Sequence, residues 1–136
     1  MKIKTALILC AGYGKRLKPI TNDIPKPLLK IKNMSLLDNT LKFVQSVGIN
    51  KIKINTFYLS HQIKNYIEQQ NYSLDIDIIN DGEKILDTGG GIYNLIRNSE
   101  EEDFLTLNPD TLWNSKYKDL FFEMEDLYFK KKIKNL

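Results

Sequence analysis

Four short apolar runs punctuate this chain: Thr5–Cys10 (TALILC), Lys51–Phe57 (KIKINTF), Leu74–Ile79 (LDIDII) and Phe104–Leu107 (FLTL). Longer stretches with helical spacing lie between them, and that alternation constrains the fold more than any other feature. The first run is apolar throughout, the pattern of a strand buried on both faces. The second alternates, as a strand does. Ser35 can cap a helix carrying Leu36, Leu37, Leu41, Phe43, Val44 and Val47, which Gly48 closes. Ser60 is placed to cap a second helix with Ile63 and Ile67. Thr88 precedes three glycines and a helix with Ile92, Leu95 and Ile96; Leu120, Phe121, Met124, Leu127 and Tyr128 mark a last helix that ends in lysines. Strands alternating with helices predict an α/β fold, a mostly parallel sheet with helices on both faces.

The 136 residues suit one domain over residues 1–136, and 42% hydrophobic with 27% charged residues is an ordinary globular mix. A net charge of +3 with scattered lysines lacks the concentrated basic face of a nucleic-acid binder. The single cysteine, Cys10, excludes a disulfide framework and a cysteine-based metal site, and reads as a small buried hydrophobe. The start MKIKTALILCAGYGKR has the charge of a signal peptide, but its apolar run is short and leads straight into Gly-Tyr-Gly-Lys-Arg, so a buried strand explains it better. No run approaches membrane-spanning length. A cytoplasmic protein with no nucleic-acid or membrane partner is expected, and a homo-oligomer is left open. His61 reads as a surface or capping residue, and Trp113 as a packing one.

In open parallel sheets, ligands bind beyond the carboxyl ends of the strands. That rule selects Ala11–Lys26, Asn80–Gly91 and Asn108–Trp113. In the first, Gly12 and Gly14 let backbone N–H groups approach an anion, and Lys15, Arg16 and Lys18 supply charge suited to a phosphate ester. A dinucleotide fingerprint fails at Leu17 and a Walker loop fails at Arg16. Lys26 stands between Pro25 and Pro27, which exclude a helix there and hold one ammonium in a set direction. Thr88, Gly89, Gly90 and Gly91 open a helix at a cost of about 1 kcal/mol per glycine, which suggests a backbone kept bare for a base or phosphate. Asp110 follows the fourth strand, where a carboxylate facing a polyphosphate would hold Mg²⁺. Each feature also has a bland reading: a glycine turn, a surface lysine, a loose helix start, a turn aspartate.

Together these residues resemble the opening motif of the sugar-1-phosphate nucleotidylyltransferases, Leu-x-x-Gly-x-Gly-Lys-Arg-Leu-x-Pro-Ile-Thr-x-x-x-Pro-Lys-x-Leu, filled from Leu9 to Leu28. ILDTGGGI and FLTLNPDTLW are similar to the family's later motifs. The resemblance implies a Rossmann-like nucleotide-diphospho-sugar transferase fold. It also implies transfer of a nucleotidyl group from an NTP to a sugar-1-phosphate, with release of pyrophosphate and with Mg²⁺ as cofactor. By resemblance Ala11, Gly12 and Gly14 line the nucleotide loop, Arg16 holds the outer phosphates and Lys26 faces the reacting one. Asp110 binds Mg²⁺, Thr88, Gly89 and Gly90 contact base or sugar, and Asp81 or Glu83 reaches the base or the acceptor.

Within the family, the Thr-Gly-Gly-Gly and Asn-x-Asp…Trp forms are most similar to the branch that uridylylates N-acetylmuramate 1-phosphate in bacterial cell-wall recycling. Guanylyl or thymidylyl transfer to another hexose 1-phosphate, phosphocholine cytidylyl transfer, and a non-catalytic nucleotide-binding module are the alternatives. Two departures stand out. Pro109 replaces a small residue and removes an N–H, and the chain is expected to be the N-terminal portion of the family's longer domain, so that it could lack activity alone.

Overall fold

The computed structural model describes residues 2–97 and 99–131. Its main sheet has four strands: β1 (Thr5–Leu9), β4 (Lys51–Thr56), β5 (Asp75–Asn80) and β6 (Phe104–Leu107), in the order β5-β4-β1-β6. Every pairing in it is parallel. Strands β2 (Lys30–Ile31) and β3 (Met34–Ser35) form a separate antiparallel hairpin. The helices are α1 (Leu36–Ser46), α2 (Ser60–Gln70), α3 (Thr88–Ile96) and α4 (Ser115–Lys131). None of the described helices is long and apolar enough to cross a membrane.

The apolar patterns explain the layering. Ala6, Ile8 and Cys10 from the first run pack with Ile52 and Ile54 of β4 against Leu37, Leu41 and Val44 of α1, Ile63 and Ile67 of α2, and Phe121 of α4. Helix α3 touches β1 and β4, and Leu95 is buried there. The expected architecture, a parallel sheet with helices on both faces, is therefore present. Ile8 and Ile54 are fully buried at the centre. Truncating either to alanine would cost about 2–5 kcal/mol, the transfer term plus the cavity left behind.

Ser35 caps α1 as its position suggests: its Oγ accepts from the Asp38 N–H at 2.9 Å, and Gly48 follows with φ +87°. Three expectations change, and one element is new. Ser60 does not cap α2; Leu59, at φ +49°, holds that position, and the Ser60 Oγ accepts from Asn80 instead. The first strand ends at Leu9, one residue early, because the chain turns away to form the glycine loop. The prolines around Lys26 exclude an α-helix but not a single 3₁₀ turn, Lys26–Leu28. Its bonds run from the Leu28 and Leu29 N–H groups, so Pro27 loses nothing by lacking a donor. The β2–β3 hairpin has no apolar alternation long enough to announce it; Lys32 and Asn33 turn it at positive φ. Of the terminal lysines, Lys130 and Lys131 lie in the last turn of α4, where a cation favours the helix end, and Lys132 and Lys134 lie outside the described residues.

The register sets the site. Leu9 pairs with Asn55, Ile8 with Leu107 and Thr56 with Asn80. The chain therefore leaves β1, β4, β5 and β6 at one common edge, and Ala11–Lys26, Asn80–Gly91 and Asn108–Trp113 all start there.

Candidate nucleotide-binding site

A cleft of about 340 Å³ opens at this edge. The first loop lines it with Gly12, Tyr13, Gly14, Lys15 and Arg16, the proline-bracketed turn with Lys26 and Pro27, and the end of β6 with Asn108, Pro109 and Asp110. Gly12, Gly14, Arg16, Lys26 and Asp110, picked from two of the three stretches at the sheet edge, thus share one cavity. The Lys26 ammonium donates to the Asp110 carboxylate at 2.6 Å, with the two side chains 28% and 44% exposed. Lys15 and Arg16 are exposed, and Lys15 lies 5.2 Å over the Tyr13 ring. The cleft has a cationic rim with one carboxylate on its far wall, a distribution suited to a polyanion that carries a metal ion.

The loop is held from below by residues that periodicity does not reveal. Gly14 sits at φ +62°, and a Cβ there would lie 2.9 Å from Thr21 Cγ2. The buried Thr21 hydroxyl donates to the Gly14 carbonyl at 2.8 Å. The Tyr58 hydroxyl lies 2.8 Å from the Thr21 carbonyl oxygen and 2.9 Å from that of Asn22, and shares its proton between them. Gln62 donates to the Asp23 carbonyl, and Tyr13 packs against Phe57 and Tyr58. The far wall is fixed by Asn39: its amide donates to the Trp113 carbonyl and accepts from the Trp113 N–H. Trp113 stacks on Phe43 with centroids 4.7 Å apart, so its packing role holds.

Cys10 lines the cleft, but burial pushes its thiol well above the ordinary cysteine range. It stays protonated and is a poor nucleophile at neutral pH.

Other expected site residues lie elsewhere. Ala11 is buried beneath the loop. Thr88 and Gly89 are exposed in the first turn of α3 and Gly90 is half-buried; none of the three lines the cleft. Asp81, one of two alternatives with Glu83 for reaching a base or acceptor, instead turns inward. It is buried, and its two carboxylate oxygens accept from Asn55 Nδ2 at 2.8 Å and Asn94 Nδ2 at 2.9 Å. Glu83 is exposed. The third glycine also has an internal reason: a Cβ on Gly91 would lie 2.6 Å from Asn55 Nδ2.

The glycines fall into two groups. Gly14, Gly48 and Gly82 have positive φ, while a Cβ on Gly90 or Gly91 would crowd Leu86 or Asn55. Only Gly12 and Gly89 have neither a positive φ nor an atom within 4 Å of a built Cβ. Their own fold does not require glycine, and both lie on segments at the carboxyl edge.

Known proteins resemble the chain in fold and in sequence. The fold superposes on a UDP-glucose pyrophosphorylase complexed with UDP-glucose at TM-score 0.79 and 23% identity, over 96% of this chain and 55% of that one. At that identity the likeness concerns the fold. HddC from Yersinia pseudotuberculosis complexed with GMP-PN superposes at TM-score 0.76 and 29% identity, over 93% of this chain and 55% of that one. In sequence, the chain is 30% identical over 116 residues to a D-glycero-alpha-D-manno-heptose 1-phosphate guanylyltransferase of Aneurinibacillus thermoaerophilus, covering 85% of this chain and 50% of that protein. It is 28% identical over 113 residues to the N-acetylmuramate alpha-1-phosphate uridylyltransferase of Caulobacter vibrioides, covering 81% and 47%. The chain spans about half the length of these curated relatives. The sequence profile of the nucleotidyl transferase family matches residues 5–131, and the chain belongs to that family.

Proposed function

We propose that the chain forms the nucleotide-gripping part of an enzyme that transfers a nucleotidyl group from an NTP to a sugar-1-phosphate and releases pyrophosphate. The observation that carries this reading is the meeting of a bare Gly12, Arg16, Lys26 and Asp110 in one cleft. Gly12 lets the loop backbone approach the triphosphate, and Arg16 binds the outer phosphates. A sugar phosphate oxygen attacks the α-phosphorus in line, and the bond to the leaving pyrophosphate breaks. Lys26 is placed to neutralise charge that develops on the α-phosphoryl oxygens. Thr88, Gly89 and Gly90 offer the first turn of α3 to the base or sugar, and Gly89 has the room for it.

The cleft suits Mg²⁺ brought in by the nucleotide. Asp110 already attracts a cation, the Lys26 ammonium at 2.6 Å. Among the described residues no group of three or more His, Cys, Asp or Glu gathers, so the other ligands would be phosphate oxygens and water. Asp110 would hold the ion, which when bound supplies charge neutralisation of the triphosphate. Lys26 would then be released from Asp110 toward phosphate.

UTP and N-acetylmuramate 1-phosphate are the proposed substrates and the cytoplasm the proposed location, supported by the Thr-Gly-Gly-Gly turn and the uridylyltransferase relative. The guanylyltransferase relative supports GTP with a heptose or mannose 1-phosphate as the alternative. A pyrophosphate-release assay with Mg²⁺, crossing the NTPs with these sugar phosphates, tests both. A second reading, nucleotide binding without turnover, needs only the glycine loop and the cationic rim of the cleft. Calorimetric binding of an NTP with no pyrophosphate release from any pair would select it. Neither binding nor release would sink both.

A further inference from the structure

Asn55 and Asp81 stand at the ends of neighbouring strands, and the Asn55 amide lies between three groups. Its oxygen accepts from the Cys10 N–H at 2.9 Å, its nitrogen donates to Asp81 at 2.8 Å, and Gly91 leaves it room. Cys10 is where β1 has ended and the glycine loop begins, and its N–H is shared between the Asn55 main-chain carbonyl at 3.2 Å and the shorter bond to the Asn55 side chain. An asparagine amide has two orientations of nearly equal shape, and only its partners select one. The Cys10 N–H only donates and the Asp81 carboxylate only accepts, so both select the same orientation: Asp81 draws Nδ2, and Oδ1 faces Cys10. The other Asp81 oxygen holds Asn94 of α3.

We propose that Asp81 is a positioning residue: through Asn55 it sets the start of the Ala11–Gly14 loop and ties that loop to the Thr88–Gly91 turn. Both parts of the nucleotide site then hang from one buried carboxylate. The functional half of this proposal rests on the reading of the cleft as a nucleotide site.

The polarity of the network gives a sharp test. Asp81→Asn presents an amide N–H to one of two donors, and Asn55→Asp sets two carboxylates against each other. The reciprocal double variant, Asn55→Asp with Asp81→Asn, restores every bond at unchanged net charge. In it, the carboxylate at position 55 would accept from the Cys10 N–H and from the amide at position 81, and the oxygen of that amide would accept from Asn94. Amide hydrogen exchange at Cys10, read against Ile8 in the same strand, reports the loop, and calorimetry with Mg²⁺ and UTP or GTP reports binding. Each single variant is expected to speed Cys10 exchange and weaken nucleotide binding by about tenfold or more, one lost hydrogen bond's worth. The double variant is expected to recover both to within about threefold.

Recovery of the Cys10 amide without recovery of affinity would overturn positioning in favour of direct contact by Asp81. Equal loss of protection at Cys10 and Ile8, or a double variant no better than the singles, would also overturn it. Absence of nucleotide binding by the wild-type chain would sink the functional reading of the cleft. The exchange data would still decide whether Asp81 sets the loop.

Discussion

Asp81 and Asp110 occupy the same kind of place and have opposite surroundings. Each lies within a few residues of the carboxyl end of a parallel strand, β5 or β6, at the same edge of one sheet. Asp81 is 9% exposed and spends both oxygens on asparagine amides. The Asp110 side chain is 44% exposed and meets one cationic head, Lys26, across the cleft. A carboxylate saturated by uncharged donors holds structure in place, whereas one paired only with a long-stemmed ammonium can exchange that partner for a ligand. Topology brings acids to this edge, and the neighbours supplied by other strands decide which one is available for chemistry.

The comparison is broken most directly by making the same change at both positions. Asp110→Asn should leave unfolding stability within about 1 kcal/mol, since exposed ion pairs contribute little. It should cut Mg²⁺-dependent turnover by about a hundredfold or more. Asp81→Asn should instead lower stability by about 1–3 kcal/mol through an unsatisfied buried donor. Urea denaturation and steady-state pyrophosphate release measure both, and an identical profile for the two variants would dissolve the distinction. On the cleft side, Lys26→Ala should reduce turnover by about a hundredfold, far more than it reduces calorimetric NTP affinity. Equal losses would mean that Lys26 only binds.

A smaller effect separates the two loop glycines. Gly14→Ala forces a positive φ and a 2.9 Å approach to Thr21, and should cost about 1–2 kcal/mol of stability. Gly12→Ala meets open space, so it should leave the melting temperature near that of the wild type while weakening NTP binding by about tenfold. Thermal melts beside calorimetry decide; a destabilised Gly12→Ala would remove the ligand as the reason for that glycine.

A third acid sharpens the contrast. Asp38, in the first turn of α1, accepts from the hydroxyls of Tyr66 and Tyr72 and joins α1 to the α2 region. Partial burial acts to raise its pKa, but the hydrogen bonds from Tyr66, Tyr72 and Ser35 outweigh it and hold the carboxyl below the ordinary aspartate value. The depressed folded value means that its contribution is present above the unfolded aspartate pKa and fades as pH falls through the folded one. Asp38→Asn should therefore cost about 1 kcal/mol at pH 7 and less at pH 3. Urea midpoints at the two pH values check this, and a pH-independent cost would place the effect elsewhere.

The strands and helices were legible because each buries a periodic apolar face. TALILC announced a doubly buried strand, and Ser35 announced the start of α1. Gly12, Gly14, Arg16, Lys26 and Asp110 were legible as a group, because a parallel sheet brings its strand ends to one edge. Lys53 was not: alternation in KIKINTF suggests a solvated lysine, yet α3 covers that face. Its ammonium is buried and donates to the Leu95 carbonyl and Ser99. Asn39, Asn55, Tyr58 and Gln62 carry no local signal, since each acts on a backbone group tens of residues away. Asn55 shows this best: only the folded chain places it between Cys10 and Asp81.

The sequence by itself determined the order of the four main strands and four helices, the central buried strand and the edge at which the cleft forms. Those follow from short-range periodicity and from the right-handed linkage of strand to helix to strand. Only the tertiary structure decided which glycines the fold needs and which it leaves bare, and which acid is buried between two amides and which stays exposed beside a lysine. Those outcomes depend on distances of a few ångströms between groups far apart in the chain, and local pattern does not encode such distances.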